Sequence, residues 1–216
     1  MDTKFLLTMK SQDIFLILKL AALDMRISGE RHADPKWSID FAERFSDISE
    51  TGMPEALSER AADPSSVRSL AEATGLSKSE VSNVLARLAD SGLGRQRSGE
   101  RFSVNYRALN EFLVHGVRYV FPARAKELTR GIVTGLTAPV FSEGILHAAA
   151  DHVPVWPDPK GNVSGAAVEP LYRTVTTAVK QDLLLYELLA LVDSIRIGLP
   201  RERNLAIALL SDRLKH

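Results

Sequence analysis

The chain has 216 residues, of which 45% are hydrophobic and 25% charged, values typical of a globular protein with one or two domains. Its formal net charge of zero argues against a protein that binds nucleic acid over its whole surface. The chain has no cysteine, which excludes disulfides, cysteine-ligated zinc, iron–sulfur clusters and a thiol nucleophile. The lack of cysteine also fits a reducing compartment, and we expect a cytoplasmic protein.

The charges are unevenly distributed along the chain. Residues 30–65 contain nine acidic and four basic residues, whereas residues 66–107 contain seven basic and four acidic residues. The second segment can therefore form a local positive surface on an otherwise neutral protein. Such a surface suits a small region that binds nucleic acid.

The first elements are predicted from apolar spacing. Charged residues interrupt the apolar residues near the N-terminus, so we expect neither a signal peptide nor a membrane-spanning helix there. The pattern from Ser11 to Asp24 predicts a buried amphipathic helix with Ser11 as its N-cap. A loop over residues 27–36 and helices over residues 38–48 and 54–62 are expected to follow.

The most informative segment runs from Ser66 to Leu93. It predicts two helices, residues 66–74 and 77–91, joined by a turn at Gly75, where a positive φ is easiest without a Cβ. Ser77 and Glu80 have the spacing of a capping box for the second helix. Four apolar residues form its buried stripe at helical spacing, namely Val81, Val84, Leu85 and Leu88.

With that stripe buried, short polar or cationic residues remain at the start and on the outer side of the second helix. They are Ser77, Lys78, Ser79, Ser82, Asn83 and Arg87. Asn83 suits adenine, and Lys78 or Arg87 suits guanine or phosphate. A helical hairpin within an ordinary core is the alternative interpretation, but we favour a helix-turn-helix that reads DNA.

A basic hairpin is predicted directly after the second helix. The turn at residues 98–100 contains Gly99 and is flanked by three arginines, Arg95, Arg97 and Arg101. In this position the hairpin is expected to be a wing that contacts phosphates or the minor groove. A solvated basic loop is the alternative.

The segment resembles the winged helix-turn-helix regulators of the MarR type. The resemblance is to the pattern L-S-x-S-x-V-S-x-x-L-x-x-L-x-x-x-G-L before an arginine-containing wing, and it covers about residues 66–107. The matching residues are Leu76, Ser77, Ser79, Val81, Ser82, Leu85, Leu88, Gly92 and Leu93. The resemblance implies that the second helix enters the major groove of double-stranded DNA while the wing contacts the backbone.

The second half of the chain offers weaker signals. A helix is expected over residues 109–122, an irregular stretch from Pro139 to Pro170, and helices over residues 181–197 and 200–214. Trp156 either anchors a protein partner or, as we favour, packs under its own loop. The excess of leucine in the helix from Gln181 suggests a subunit interface in addition to core packing.

We therefore predict a mainly α protein. Residues 1–107 are expected to form the winged helix-turn-helix domain with a small β-hairpin, and residues 108–216 a largely helical assembly or sensing domain with a proline-rich irregular stretch. No catalytic constellation, metal site or cofactor motif is present, so we expect no enzyme. The expected function is a sequence-specific, dimeric transcriptional repressor, with a small effector or protein partner left open. The alternative is an antitoxin-like protein-interaction module that uses the winged domain for autoregulation or as a scaffold.

Overall fold

A computed structural model describes residues 8–29, 63–96, 100–141 and 153–215 of the chain. The helices are α1 (Ser11–Ile27), α2 (Val67–Thr74), α3 (Lys78–Asp90), α4 (Tyr106–His115), α5 (Val117–Val120), α6 (Val175–Val179), α7 (Leu183–Ile197) and α8 (Pro200–Arg213). The strands are β1 (Gly94–Arg95), β2 (Ser103–Val104), β3 (Ala125–Val133), β4 (Pro154–Pro157) and β5 (Val163–Val168). The helices predicted over residues 38–48 and 54–62 lie outside the described residues.

Helix α1 lies in the interior of the molecule. Twelve of its 17 residues are buried, and it packs against α3 and against α7. Its N-cap is Lys10 and not the predicted Ser11, and the Lys10 N–H donates to Asp13 Oδ2 over 2.8 Å. The helix is therefore a central element of the core, in contact with α2, α3 and α7.

The predicted pair of helices and the hairpin after them are present. Ser66 caps α2 by accepting a hydrogen bond from the Ser69 N–H, and Gly75 ends that helix with a φ of +68°. Strands β1 and β2 pair antiparallel, with Gly94 opposite Val104. The single helix predicted over residues 109–122 is instead divided into α4 and α5 at Gly116.

The prediction of a mainly α fold is wrong, because the second half contains a three-stranded β-sheet. Strand β3 pairs antiparallel with both β4 and β5, and β4 pairs parallel with β5, so the three strands close on one another. The described part of the predicted irregular stretch from Pro139 to Pro170 therefore contains two strands.

Glycine and proline led to the prediction of an irregular stretch, but in this segment they occupy positions within the sheet that require or tolerate them. A Cβ on Gly131 would overlap the carbonyl oxygen of Trp156 on the paired strand, and a Cβ on Gly165 would overlap that of Val153. Glycine is thus required where backbones approach most closely. Pro154 and Pro157 occupy the first and last positions of β4, where a missing N–H is least costly.

Trp156 is a core residue. Its side chain is 1% exposed, its indole N–H donates to Asp193 Oδ2 over 2.6 Å, and its ring packs edge-on against Tyr186 at 5.8 Å. Because Asp193 and Tyr186 belong to α7, the tryptophan fixes the sheet to that helix. It is not accessible to a protein partner.

Helix α7 is also buried almost throughout, which accounts for its leucines within a single chain. Its N-cap Asp182 accepts hydrogen bonds from Lys19 Nζ at 2.6 Å and Arg26 at 2.8 Å, both on α1. Described residues on both sides of the boundary drawn at residue 107 share one hydrophobic core. The expected interface role of α7 thus loses its motivation, while the domain boundary itself stays a prediction.

None of the helices described is long and apolar enough to cross a membrane. The long helices α1 and α7 are apolar because they lie inside the protein, and each also carries charged side chains that are paired.

We predict that Gly131→Ala lowers the free energy of unfolding by about 3 kcal/mol or more, at the upper end of overpacking effects, because the new methyl group meets the backbone of β4. Chemical denaturation monitored by circular dichroism measures the change. Ser164→Ala, at an exposed position of β5, is the control and should change stability by no more than about 0.5 kcal/mol. Equal stability of the two variants would contradict the close approach of β3 and β4.

Candidate nucleic-acid interface

The predicted capping box sets the start of α3. The Ser77 N–H donates to Glu80 Oε2 over 3.0 Å, and the Ser77 hydroxyl accepts from the Glu80 N–H over 3.2 Å. The hydrogen bond from the Ser77 backbone N–H to the Glu80 carboxylate, followed by one from the Ser77 side chain, is the main reason that the pKa of Glu80 lies below its usual value. Ser77 was predicted to contact DNA, and its hydroxyl is engaged in this cap.

The predicted stripe of Val81, Val84, Leu85 and Leu88 is buried. The burial of this stripe sets the orientation of α3 about its own axis and leaves the opposite side of the helix in solvent. The exposed residues of the first three turns, which we name the outer face, are Lys78, Ser79, Ser82, Asn83 and Ala86.

The polar residues of the outer face differ in how they are engaged. The hydroxyl groups of Ser79 and Ser77 lie 3.1 Å apart, and the Ser82 hydroxyl donates to the Lys78 carbonyl over 3.1 Å. Within the part of the chain that the structure describes, the Lys78 and Asn83 side chains have no hydrogen-bond or ion-pair partner. Their donors and acceptors are available to a ligand.

Arg87 does not belong to the outer face, so the prediction that places it on the outer side of the helix as a DNA contact loses its basis. Its side chain is 7% exposed and forms a two-pronged ion pair with Asp13 of α1, at 2.8 Å from Nε and 2.5 Å from the second nitrogen. The hydrogen bonds that Arg87 donates to the Asp13 carboxylate raise the pKa of Arg87. The residue lies beside the apolar stripe, three positions after Val84, so its guanidinium turns towards the core and joins α3 to α1.

The wing places two of its three predicted arginines in solvent. Arg95 is exposed at the end of β1, and Arg101 is exposed but lies 2.9 Å from a carboxylate oxygen of Asp63. Arg97 lies outside the described residues. The positive charge that the described wing presents is therefore mainly that of Arg95, because Asp63 offsets the charge of Arg101.

A residue from the second half of the chain supports the turn between α2 and α3. The Thr174 hydroxyl donates to the Thr74 carbonyl over 2.5 Å. A Cβ built on Gly75 would lie 2.9 Å from the Thr174 methyl group, so glycine is required there for space as well as for its positive φ. The sequence predicted the second reason but gave no sign of the first.

Two exposed cations lie near the start of α3 that sequence reasoning did not find. Arg173 precedes Thr174, and Lys10 is the N-cap of α1. Both contribute, after the Ser77 hydrogen bonds, to lowering the pKa of Glu80, so both lie within electrostatic reach of that carboxylate. Neither is part of the winged motif, and no local pattern marks them.

The described residues contain no cluster of three or more histidine or carboxylate side chains that could hold a metal ion. The side chains of Asn83, Lys78 and Arg95 offer hydrogen bonding and positive charge to a ligand.

We predict that Arg87→Ala lowers the free energy of unfolding by about 3–5 kcal/mol, because Asp13, which is fully buried, would lose its charged partner. Asn83→Ala on the same helix is the control and should cost no more than about 0.5 kcal/mol. Urea denaturation measures both. If Arg87→Ala is as stable as Asn83→Ala, the ion pair does not hold α3 to α1.

Comparison with known proteins gave no match: no protein-family model fits the chain, and no curated protein or solved structure is significantly similar to it.

Proposed function

We propose that this protein is a sequence-specific regulator of transcription that binds double-stranded DNA through the outer face of α3. One observation carries the proposal. The rotation of α3 about its axis is fixed by its buried stripe, and the Lys78 and Asn83 side chains on its outer face have no partner among the described residues. Asparagine can bond an adenine edge with two hydrogen bonds, and lysine can bond guanine or phosphate. Both side chains lie within the first two turns of α3, the part of a recognition helix that reaches base edges.

The hairpin after α3 supports the same function. It begins four residues after α3 ends, and its exposed Arg95 can contact the DNA backbone while α3 lies in the major groove. This arrangement matches the resemblance to MarR-type regulators, which extends over residues 66–107. We include Arg97 among the proposed phosphate contacts on sequence grounds.

A homodimer is part of the proposal. One copy presents few unpaired cations on this face, and a two-fold dimer doubles the contacts and reads a palindromic site. The interface is left unassigned, because the burial of α7 within the chain removes the reason for assigning it there. We place the protein in the cytoplasm, in keeping with its lack of cysteine, and we expect binding to repress a neighbouring gene.

The alternative of an antitoxin-like interaction module is not favoured. It was motivated by an irregular proline-rich stretch and by Trp156 as a partner anchor. That tryptophan is buried against α7, and strands β4 and β5 lie within the described part of the stretch.

We predict that Asn83→Ala reduces discrimination between the preferred site and other duplexes by about 1–3 kcal/mol and leaves non-specific binding nearly unchanged, because the amide carries no charge. Lys78→Gln should instead weaken binding to all duplexes. A site selected from random duplexes and competition binding provide the measurement. Asn204→Ala, exposed on α8, is the control. If Asn83→Ala and Ser79→Ala select the same site with unchanged discrimination, α3 is not the reading helix.

A further inference from the structure

In the structure, fewer cationic side chains of the winged segment are available to DNA than the sequence predicted. Sequence reasoning assigned four arginines to the interface in addition to Lys78. One of them, Arg87, is buried in an ion pair with Asp13, and another, Arg101, is paired with Asp63. Phosphate contacts provide a large share of the affinity of DNA-binding proteins. A winged segment with so few unpaired cations among its described residues therefore needs further cationic side chains nearby.

Arg173 is held beside the helix-turn-helix by contacts on both sides of it in the chain. The ring of Tyr172 before it stacks on Phe15 of α1, with ring centroids 6.1 Å apart. Thr174 after it bonds to the Thr74 carbonyl at the end of α2. The Arg173 guanidinium lies over the Tyr172 ring, 5.8 Å from its centroid, and the side chain is exposed.

Lys10 is fixed next to α3 by a second, independent set of contacts. Its backbone N–H bonds to Asp13, and the same carboxylate holds Arg87 of α3. The side chain of Lys10 is exposed and, in the described part of the chain, forms no ion pair.

The contacts of Thr174 with Thr74 and of Asp13 with Arg87 place both cations beside the helix-turn-helix, and the electrostatics of Glu80 agree with this placement. Arg173 and Lys10 lie within electrostatic reach of Glu80, which is three residues before Asn83 and therefore its neighbour on the helix surface. Glu80 is itself bonded to Ser77.

We propose that Arg173 and Lys10 extend the DNA-binding surface beyond the winged segment and contact backbone phosphates beside the site where α3 enters the groove. This inference rests on the proposed function and assigns to it two residues from outside the helix-turn-helix and wing. The contacts are with phosphate and carry no base specificity. The second half of the chain thus takes part in binding directly through Arg173.

The test is the salt dependence of duplex binding, measured by fluorescence anisotropy with the full chain. Arg173→Gln and Lys10→Gln should each weaken binding to all duplex sequences. Each should also make the negative slope of log affinity against log salt less steep by about 0.9. The selected site should be unchanged. Arg173→Lys, which keeps the charge, should restore the slope.

Arg201→Gln is the matched control, because Arg201 is an exposed cation on α8 without an ion pair among the described residues. Binding by the wild type with slopes for Arg173→Gln and Lys10→Gln equal to that of Arg201→Gln would overturn this inference and leave the proposed function standing. Absence of duplex binding by the wild type would overturn the proposed function itself. Urea denaturation of each variant shows that a loss of binding does not come from unfolding.

Discussion

Burial of α1 is the constraint on which the rest of the structure depends. The helix is surrounded by other elements, yet it carries Asp13 and Lys19 in its buried part. A buried charge without a partner destabilises a fold by several kcal/mol, so each of these side chains must meet an opposite charge. Asp13 meets Arg87 of α3, and Lys19 meets Asp182 at the start of α7. These two ion pairs fix the helix-turn-helix and the C-terminal helices relative to the same central helix.

The ion pair between Arg87 and Asp13 also determines what the outer face of α3 can present. The apolar stripe of α3 and the bond from Arg87 to α1 together set the rotation of the helix, and Lys78 and Asn83 are left in solvent as a result. Thr174 holds the turn before α3 from the other side of the chain. A helix supported in this way is held in one orientation before it meets a ligand, which reduces the entropy lost on binding.

Local features of the fold were predictable, because their causes lie within a few residues. The capping box at Ser77 and Glu80, the turn at Gly75 and the buried stripe of α3 all follow from spacing along the chain. The exposure of Lys78, Ser79, Ser82 and Asn83 follows from that stripe.

What the sequence could not reveal depends on contacts between distant residues. Asp13 and Arg87 are 74 positions apart, and Thr74 and Thr174 are 100 apart. The residue type and helix position of Arg87 are typical of a DNA contact, and only its ion pair with Asp13 makes it a core residue. Glycine is typical of loops, so the sequence around Gly131 and Gly165 predicts irregular structure. Only the paired strands show that these two glycines allow a close approach of the backbones. The sheet, the correction at Arg87 and the role inferred for Arg173 all have this origin.

The central claim, that the outer face of α3 lies against double-stranded DNA, is tested most directly by site-specific crosslinking. The chain has no cysteine, so a single introduced thiol takes a photoactivatable label at one position only. A label on Ser79→Cys, on the outer face, should crosslink to duplex DNA on illumination. A label on Ala208→Cys, exposed on α8, should not crosslink at the same protein and DNA concentrations. Equal crosslinking at the two positions, or none at position 79, would contradict the account.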